Sequence, residues 1–272
     1  MGTQETLSRP PSKVEWAELY AMSKKQSLVG ICFAGLQRLY NEDNQEPSTH
    51  NPKLELTQNQ APITQNLDEV QYLTWMGMAA KIQQRNEVVN RLCEELQAKL
   101  SADGFRSCIL KGQGVAGIYG SLSSLRQSGD IDVWVQNKSI PALVEYVKGF
   151  GVGYKATAAH VECELFPDTD VELHAVPAFM RNFRTNRKLV QWFNESKGSI
   201  VESELGFNVL TFEFNLVYMV VHMYHHVLFE GLGLRQLMDY YFVLCTSYDD
   251  DTFHYDDDNW RSWAKVCGLL LC

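Results

Sequence analysis

The spacing of apolar residues predicts that the chain begins with helices. Between residues 14 and 40, apolar side chains recur as on one face of an amphipathic helix, and they suit one or two such helices. The following stretch, 41–62, is polar, contains proline and shows no period, so it predicts a loop. A long helix is expected from about residue 68 to residue 100, and Gly104 shortly afterwards is typical of a helix end.

After residue 100 the pattern changes to that of a mixed α/β segment. Two alternating runs on either side of a Pro-Asp-Thr-Asp turn predict a hairpin, and Pro141 suits the first turn of a helix that extends to residue 150. A short helix is expected at 115–119, and from about residue 179 the pattern is mostly helical. The predicted strands are 105–110, 131–135, 160–166, 171–176 and a further segment near 206–213.

This order of elements predicts an α+β fold with three regions. Residues 1–100 form an N-terminal helical region that contains the polar loop, residues 101–178 form a compact α/β core, and residues 179–272 form a C-terminal helical region. The sequence ends inside an apolar, helix-like pattern without a capping residue, so we expect the last region to be truncated.

Composition narrows the class of protein. Of the 272 residues, 45% are hydrophobic and 21% are charged, as in an ordinary globular protein. The formal net charge of −9 argues against a general nucleic-acid binder, which needs a basic surface. The most apolar stretch, 209–229, is interrupted by polar residues, so we expect no membrane span and a cytoplasmic protein. The seven cysteines form no Cys-x-x-Cys pair, which favours reduced thiols over disulfides or zinc ligands.

Three acidic residues form the candidate site. Asp130 and Asp132 are two residues apart in a strand-like run, so both carboxylates point to the same face. If the predicted hairpin packs beside this strand, Glu172 joins them as a third carboxylate. Three hard oxygen donors suit Mg²⁺ or Mn²⁺, which also accept waters and substrate phosphates as ligands. The alternative is a solvated edge strand, because many surface strands contain two acidic residues.

The motifs around these carboxylates resemble nucleotidyltransferases of the DNA polymerase β type. That superfamily has a glycine-rich turn, a helix, an Asp-x-Asp strand and a later third carboxylate. The chain is more closely similar to an uncharacterised bacterial nucleotidyltransferase family, and the resemblance covers roughly residues 12–245. The matching segments are Leu-Lys-Gly at 110–112, Tyr119, Leu-Arg at 125–126, Gly-Asp-Ile-Asp at 129–132, Glu-Leu-His at 172–174, His-Met-Tyr-His-His at 222–226 and Gly-Leu-Arg-Gln-Leu-Met-Asp at 233–239.

The resemblance implies a polymerase β-like core, a small mixed sheet with helices, that transfers a nucleoside monophosphate. The donor would be a nucleoside triphosphate such as ATP, the acceptor an unidentified hydroxyl, and the leaving group pyrophosphate. Glu172 would complete the metal site and help to orient or deprotonate the acceptor. The implied catalytic and metal-binding residues are Asp130, Asp132 and Glu172; the implied nucleotide-binding residues are Lys111, Gly112, Gln113, Gly114, Arg126 and Ser128; further candidates are His174, Arg235 and Asp239.

Two turns are candidates for holding the triphosphate. Gly112 follows a predicted strand and precedes a helix, so backbone N–H groups at 112–114 would cradle phosphate while Lys111 and Arg126 add positive charge. Gly120-Ser121 is closer to the usual dipeptide of the superfamily but follows a helix-like run. We favour residues 112–114. Gln113 departs from the small residue that is usual there.

For Lys111, Arg126 and Arg235, the alternative is a purely structural role. Lys111 could be a surface lysine at the end of a strand, and Arg126 could be a structural partner of Asp130. Arg235 either faces the nucleotide or forms a pair with Asp239 on the surface of a helix.

Two alternatives concern function. His222 and His226 share a helical face, but the glutamate of metallopeptidases is missing, so packing or lining of the cleft is favoured over zinc binding. For the whole protein, the alternatives are a non-catalytic nucleotide- or partner-binding domain and a toxin–antitoxin component that nucleotidylates a protein.

Overall fold

The structure is a computed structural model that describes residues 9–43, 62–196, 198–229 and 231–249. The chain divides into two compact units. The first consists of Met1–Gln84 with Ser124–Gln127, and the second of Arg85–Ser123 with Ser128–Cys272. The helices are α1 (Lys13–Lys25), α2 (Val29–Asp43), α3 (Glu69–Ala102), α4 (Gln113–Ala116), α5 (Ile140–Lys148), α6 (Phe183–Glu195), α7 (Phe212–Phe229) and α8 (Leu234–Asp249), with a 3₁₀ segment at Gly117–Leu125.

The first unit is helical, as its sequence pattern predicts. A capping box begins α1, because the Ser12 side chain accepts a hydrogen bond from the Glu15 N–H and the Glu15 carboxylate accepts one from the Ser12 N–H. Ser27, with a φ of 56°, lies between α1 and α2, so residues 14–40 form two helices. One apolar cluster of this unit consists of the buried residues Trp16, Val29, Phe33, Leu36, Trp75, Ala79 and Ile82.

The second unit is built on one seven-stranded sheet in the order β3-β4-β5-β2-β1-β7-β6. The β2–β5 and β1–β7 pairs are parallel, and the other neighbouring pairs are antiparallel. A mixed α+β fold is therefore confirmed for the described chain. The strands are β1 (Ser107–Ile109), β2 (Ile131–Val135), β3 (Tyr154–Ala156), β4 (His160–Phe166), β5 (Thr169–His174), β6 (Ile200–Glu202) and β7 (Asn208–Leu210).

The core of this unit explains why β2 and β5 are central. All five side chains of β2 are buried, and Val171 and Leu173 of β5 are 0% exposed. On α3, Val89, Cys93 and Leu100 are also 0% exposed and pack into the same apolar cluster. The apolar positions thus hold the central strands, and the polar positions of β5 lie on the opposite face.

The two outer strands have no counterpart in the sequence prediction. β3 and β6 are the edges of the sheet, each has three residues, and most of their side chains are exposed. Strands this short and exposed leave no hydrophobic alternation to detect. Of the predicted loop, α2 occupies the first three positions up to Asp43, and residues 44–61 lie outside the described part.

The composition led to expectations about the cysteines and about membrane spans. The cysteines of the described residues have free thiols, and Cys93, Cys108 and Cys163 are buried. Burial raises the pKa of the Cys93 and Cys163 thiols to about 12. Within the described ranges, no helix is both long and apolar enough to cross a membrane.

Candidate active site

The three predicted carboxylates lie together at the centre of the sheet. Asp130 immediately precedes β2, Asp132 lies on it, and the parallel register places Glu172 of β5 beside Asp132. One oxygen from each carboxylate lies within 4.8 Å of the others. Asp132 is central in the sheet and its side chain is 1% exposed, so it does not lie on a solvated edge strand.

The close approach of these carboxylates affects their protonation. Burial raises the pKa of Asp130 above its usual range, and the neighbouring charges of Asp132 and Glu172 raise it further. For Asp132, burial also acts to raise the pKa, but Lys111 and His174 outweigh it and hold the pKa below its usual range. Three oxygen donors of this kind fit a hard divalent cation, because its charge would offset their mutual repulsion.

Lys111 supplies positive charge inside this site. Its Nζ lies 3.2 Å from Asp132 Oδ1, and its side chain is 24% exposed. Burial alone would lower the pKa of Lys111, but Asp132, Asp130 and Glu172 together raise it. Lys111 is therefore a partner of the carboxylates and not an isolated surface lysine at a strand end.

His174 contacts two of the three carboxylates. Its Nε2 lies 3.0 Å from Asp132 Oδ1 and 3.2 Å from Glu172 Oε2. Burial would lower the pKa of His174, but these two carboxylates outweigh burial and raise it. The imidazole thus positions Asp132 and Glu172 relative to each other.

Residues 110–112 connect β1 to α4, and the predicted phosphate-binding turn at 112–114 extends into the first turn of this helix. Gly112 has a φ of 58°, in the left-handed region that favours glycine, and it precedes the first residue of α4. The strand–turn–helix order that favoured this turn over Gly120-Ser121 is therefore present. Gly120 also has a positive φ, 55°, but lies inside the 3₁₀ segment.

Two residues of this turn are engaged with the protein itself. The Gly114 N–H donates to the carbonyl oxygens of Leu110 and Lys111, at 3.0 and 2.9 Å, so a phosphate contact from this N–H would require those bonds to open. The side chain of Gln113 is buried and its Nε2 donates to Asn90 Oδ1 of α3. The side chain of Gln113 is therefore already engaged, and a phosphate contact by this residue would use its backbone N–H.

Arg126 and Ser128 lie in different units. Arg126 belongs to the first unit, where it is buried and donates a 3.4 Å hydrogen bond to the Gln127 carbonyl oxygen. Ser128 belongs to the second unit, and its Oγ is buried without a hydrogen-bond partner among the described residues.

The two candidates on α8 have different surroundings. The Arg235 guanidinium lies 3.9–4.0 Å from the point where Gly129, next to Asp130, would carry a Cβ. Asp239 is 3% exposed and accepts a 2.6 Å hydrogen bond from the Tyr119 hydroxyl. Asp239 is therefore buried and does not lie on the helix surface, where a pair with Arg235 was considered.

The histidines of α7 pack against each other. The Nε2 atoms of His222 and His226 are 3.0 Å apart, and burial, with nearby positive charge, lowers the pKa of His222 to about 3. Neither histidine belongs to a group of three metal-ligating side chains among the described residues.

One residue near the site was missed by the sequence prediction. His160 of β4 pairs across the hairpin with His174, and together with Glu172 these side chains form a second group of possible metal ligands. The signal was present in the sequence. The predicted hairpin places His160 opposite the Glu-Leu-His strand once its register is drawn.

Comparison with known proteins identifies the family to which the chain belongs. The sequence profile of the family described as "Uncharacterised nucleotidyltransferase" matches residues 12–264, so the chain belongs to this family. The family resemblance inferred from the motifs is confirmed to that extent. No curated protein matches the chain.

One solved structure with a similar chain is described as an antigenic nucleotidyltransferase-like protein from Paracoccidioides brasiliensis. It shares 10% sequence identity with this chain, and the match covers 65% of this chain and 86% of that chain, with a TM-score of 0.41.

Proposed function

We propose that this protein transfers a nucleoside monophosphate from a nucleoside triphosphate to an acceptor hydroxyl, as in the DNA polymerase β superfamily. The acceptor oxygen forms a bond to the α-phosphorus, the bond from that phosphorus to the leaving oxygen breaks, and pyrophosphate departs. The observation that supports this function is the convergence of Asp130, Asp132 and Glu172 within 4.8 Å, beside Lys111.

The donor set fits Mg²⁺ or Mn²⁺. Asp130, Asp132 and Glu172 offer only carboxylate oxygens, which these hard cations prefer. When bound, such a cation would polarise the phosphoryl oxygens and stabilise the charge that develops on them. The pairing of Lys111 with Asp132 supports this proposal, because the site already attracts positive charge without a nucleotide.

The phosphates of the substrate would bind on the Gly112 side of the carboxylates. The Lys111 ammonium group and the backbone N–H groups of residues 112 and 113 are the proposed donors to the triphosphate. The Arg235 guanidinium lies 3.9–4.0 Å from the position that a Cβ on Gly129 would take. It would therefore add positive charge beside the residue that precedes Asp130. The roles of Arg126 and Ser128 in nucleotide binding remain predictions.

Glu172 and His174 would act on the acceptor. Glu172 is partly exposed, at 20% for its side chain, so an acceptor hydroxyl can approach it. Its carboxylate would accept the hydroxyl proton as the new bond to phosphorus forms. His174 would position that carboxylate through the 3.2 Å contact to Oε2.

The test is transfer of label from each of the four α-³²P nucleoside triphosphates in the presence of Mg²⁺ or Mn²⁺. Small-molecule and protein acceptors in a cell lysate are separated on a gel, which distinguishes a toxin-like protein nucleotidylase from a small-molecule enzyme. We expect transfer with the native chain and none with Asp130→Asn/Asp132→Asn. Glu145→Gln is the control, because it removes a carboxylate that is 81% exposed on α5. Absence of nucleotide binding by calorimetry, with either metal, would contradict the proposal.

A further inference from the structure

A second group of ligands lies next to the three carboxylates. It consists of His160 of β4 with Glu172 and His174 of β5, and one ligand atom from each lies within 4.8 Å of the others. His174 Nε2 is 3.2 Å and His160 Nδ1 is 3.9 Å from the same atom, Glu172 Oε2. The antiparallel register places His160 directly opposite His174.

The two distances to Glu172 Oε2, 3.2 and 3.9 Å, are close to the separations of ligands that share one ion. Metal–nitrogen and metal–oxygen bonds of about 2.0–2.2 Å place neighbouring ligand atoms about 3–4 Å apart in tetrahedral or octahedral geometry. Two imidazoles and one carboxylate are a different donor set from the all-carboxylate group. Imidazole suits first-row transition metals such as Zn²⁺ or Co²⁺, whereas Mg²⁺ prefers oxygen.

The surroundings of His160 provide a second, independent observation. Its Nδ1 is directed towards Glu172, while its Nε2 lies 3.5 Å from Glu162 Oε1. Lys155 Nζ in turn lies 3.6 Å from Glu162 Oε2. A carboxylate on the far nitrogen of an imidazole is the usual arrangement around metal-binding histidines, because it sets the tautomer and the ring orientation.

Burial also suits a bound ion. The side chains of His160 and Glu172 are each 20% exposed and that of His174 is 12% exposed, so the group is mostly buried but still accessible to solvent. Water or a substrate atom can therefore complete the coordination. His174 Nε2 also lies 3.0 Å from Asp132 Oδ1, so an ion at this nitrogen would replace that contact.

We propose that His160, Glu172 and His174 form a binding site for a transition-metal dication such as Zn²⁺, distinct from the Mg²⁺ site and sharing Glu172 with it. This proposal goes beyond the proposed function and does not require nucleotidyl transfer. A carboxylate has two oxygens, so Glu172 can serve both ions.

The test uses Co²⁺ as the probe, on the full chain after removal of metals with a chelator and without nucleotide. With excess Mg²⁺ present to occupy the carboxylate group, we expect visible absorption bands typical of imidazole ligation that saturate at one Co²⁺ per chain. His160→Gln should weaken binding at least about tenfold, because loss of even an outer partner of a metal ligand typically costs about 10–100-fold and His160 is a proposed ligand. A native chain without these bands would overturn the proposal.

Two variants distinguish this site from the carboxylate group and from the histidines of α7. Asp130→Asn removes a ligand of the carboxylate group alone and should leave Co²⁺ affinity within about twofold of the native value. His225→Gln removes a histidine of α7 outside the group, which contacts Phe179, and should have no effect. Equal loss in Asp130→Asn and His160→Gln would overturn the proposal, because the two groups of ligands would then not be distinct sites. Unchanged affinity in a folded His160→Gln variant would overturn it as well.

The two proposals fail in different ways. If Co²⁺ binding depends on His160 but no nucleotide is bound or transferred, the transition-metal site stands and the proposed function is wrong. If transfer occurs but Co²⁺ does not bind, or binds independently of His160, the proposed function stands and the second site is wrong.

Discussion

The ion pair between Lys111 and Asp132 should contribute to stability independently of catalysis. The Asp132 side chain is 1% exposed, and its Oδ1 lies 3.2 Å from the Lys111 Nζ. A carboxylate that has lost its hydration needs a cation or hydrogen-bond donors to compensate. Lys111→Met keeps most of the side-chain volume and removes the charge, which leaves His174 beside the carboxylate at 3.0 Å.

The size of the effect follows from this geometry. Removing one partner of a buried ion pair costs about 3–5 kcal/mol. Lys111 is 24% exposed and His174 still compensates, so we expect Lys111→Met to lower the free energy of unfolding at pH 7 by about 2–3 kcal/mol. The double variant Lys111→Met/Asp132→Asn should recover at least about 1 kcal/mol of this loss, because Asp132 is then no longer an uncompensated charge.

Urea unfolding in the presence of a chelator measures these differences, with the fluorescence of Trp134, buried in β2, among the signals. Lys148→Met is the matched control. Lys148 is 51% exposed and pairs with Glu145 at 3.5 Å, so this change should stay within about 0.5 kcal/mol of the native value. If the single and double variants were equally unstable, the loss would come from packing and the electrostatic reasoning would be wrong.

Three further substitutions test other parts of the second unit. Burial and nearby positive charge lower the pKa of His222 to about 3. Below pH 6.5 the unfolded chain therefore takes up a proton at this histidine that the folded chain does not, so the contribution of His222 to the free energy of unfolding should fall by up to about 1.4 kcal/mol per pH unit. The pKa of His174 is raised despite burial by Asp132 and Glu172, which acts in the opposite direction, so the effect of His222 is read as the difference between the native chain and the variant. His222→Gln should reduce this slope in urea titrations from pH 7 to pH 5, and an unchanged slope would contradict the pKa. Gly114→Ala should cost about 2 kcal/mol or more, because its Cβ would lie 2.5 Å from a backbone oxygen of β1. Its control, Gly117→Ala, meets nothing within 4 Å and should unfold near the native Tm; equal Tm values for both variants would refute the clash. Tyr119→Phe should cost about 1–3 kcal/mol in urea unfolding, because the buried Asp239 loses a 2.6 Å hydrogen bond, and no loss would show that this bond is dispensable.

Most of the long elements were predictable from periodicity. The predicted helix from 68 to 100 corresponds to α3, and the predicted strand 131–135 has the same bounds as β2. These segments are long or strongly apolar, so their burial pattern appears directly in the sequence. The edge strands β3 and β6 could not be predicted in this way, because they are held by backbone hydrogen bonds to a neighbouring strand and bury few side chains.

The candidate site likewise has a part that the sequence predicts and a part that only the tertiary structure decides. Asp130 and Asp132 share a face because they are two residues apart on a strand, and the Glu-Leu-His motif of the family adds Glu172 from the sequence alone. The chemical type of these residues and the shared face of Asp130 and Asp132 are therefore properties of local sequence, whereas Glu172 joins them only through strand pairing.

The partners of those carboxylates depend on tertiary structure. The sheet register places Glu172 beside Asp132 and His160 opposite His174. Spacing along the chain also does not predict that Lys111 Nζ lies 3.2 Å from Asp132 Oδ1. Nor does it predict that the Gly114 N–H donates to the carbonyl oxygens of Leu110 and Lys111. The physical reason is that periodicity reports which face of an element a residue occupies. Which residues of other elements it meets, and how far their charges shift one another's pKa, depends on strand order, register and burial.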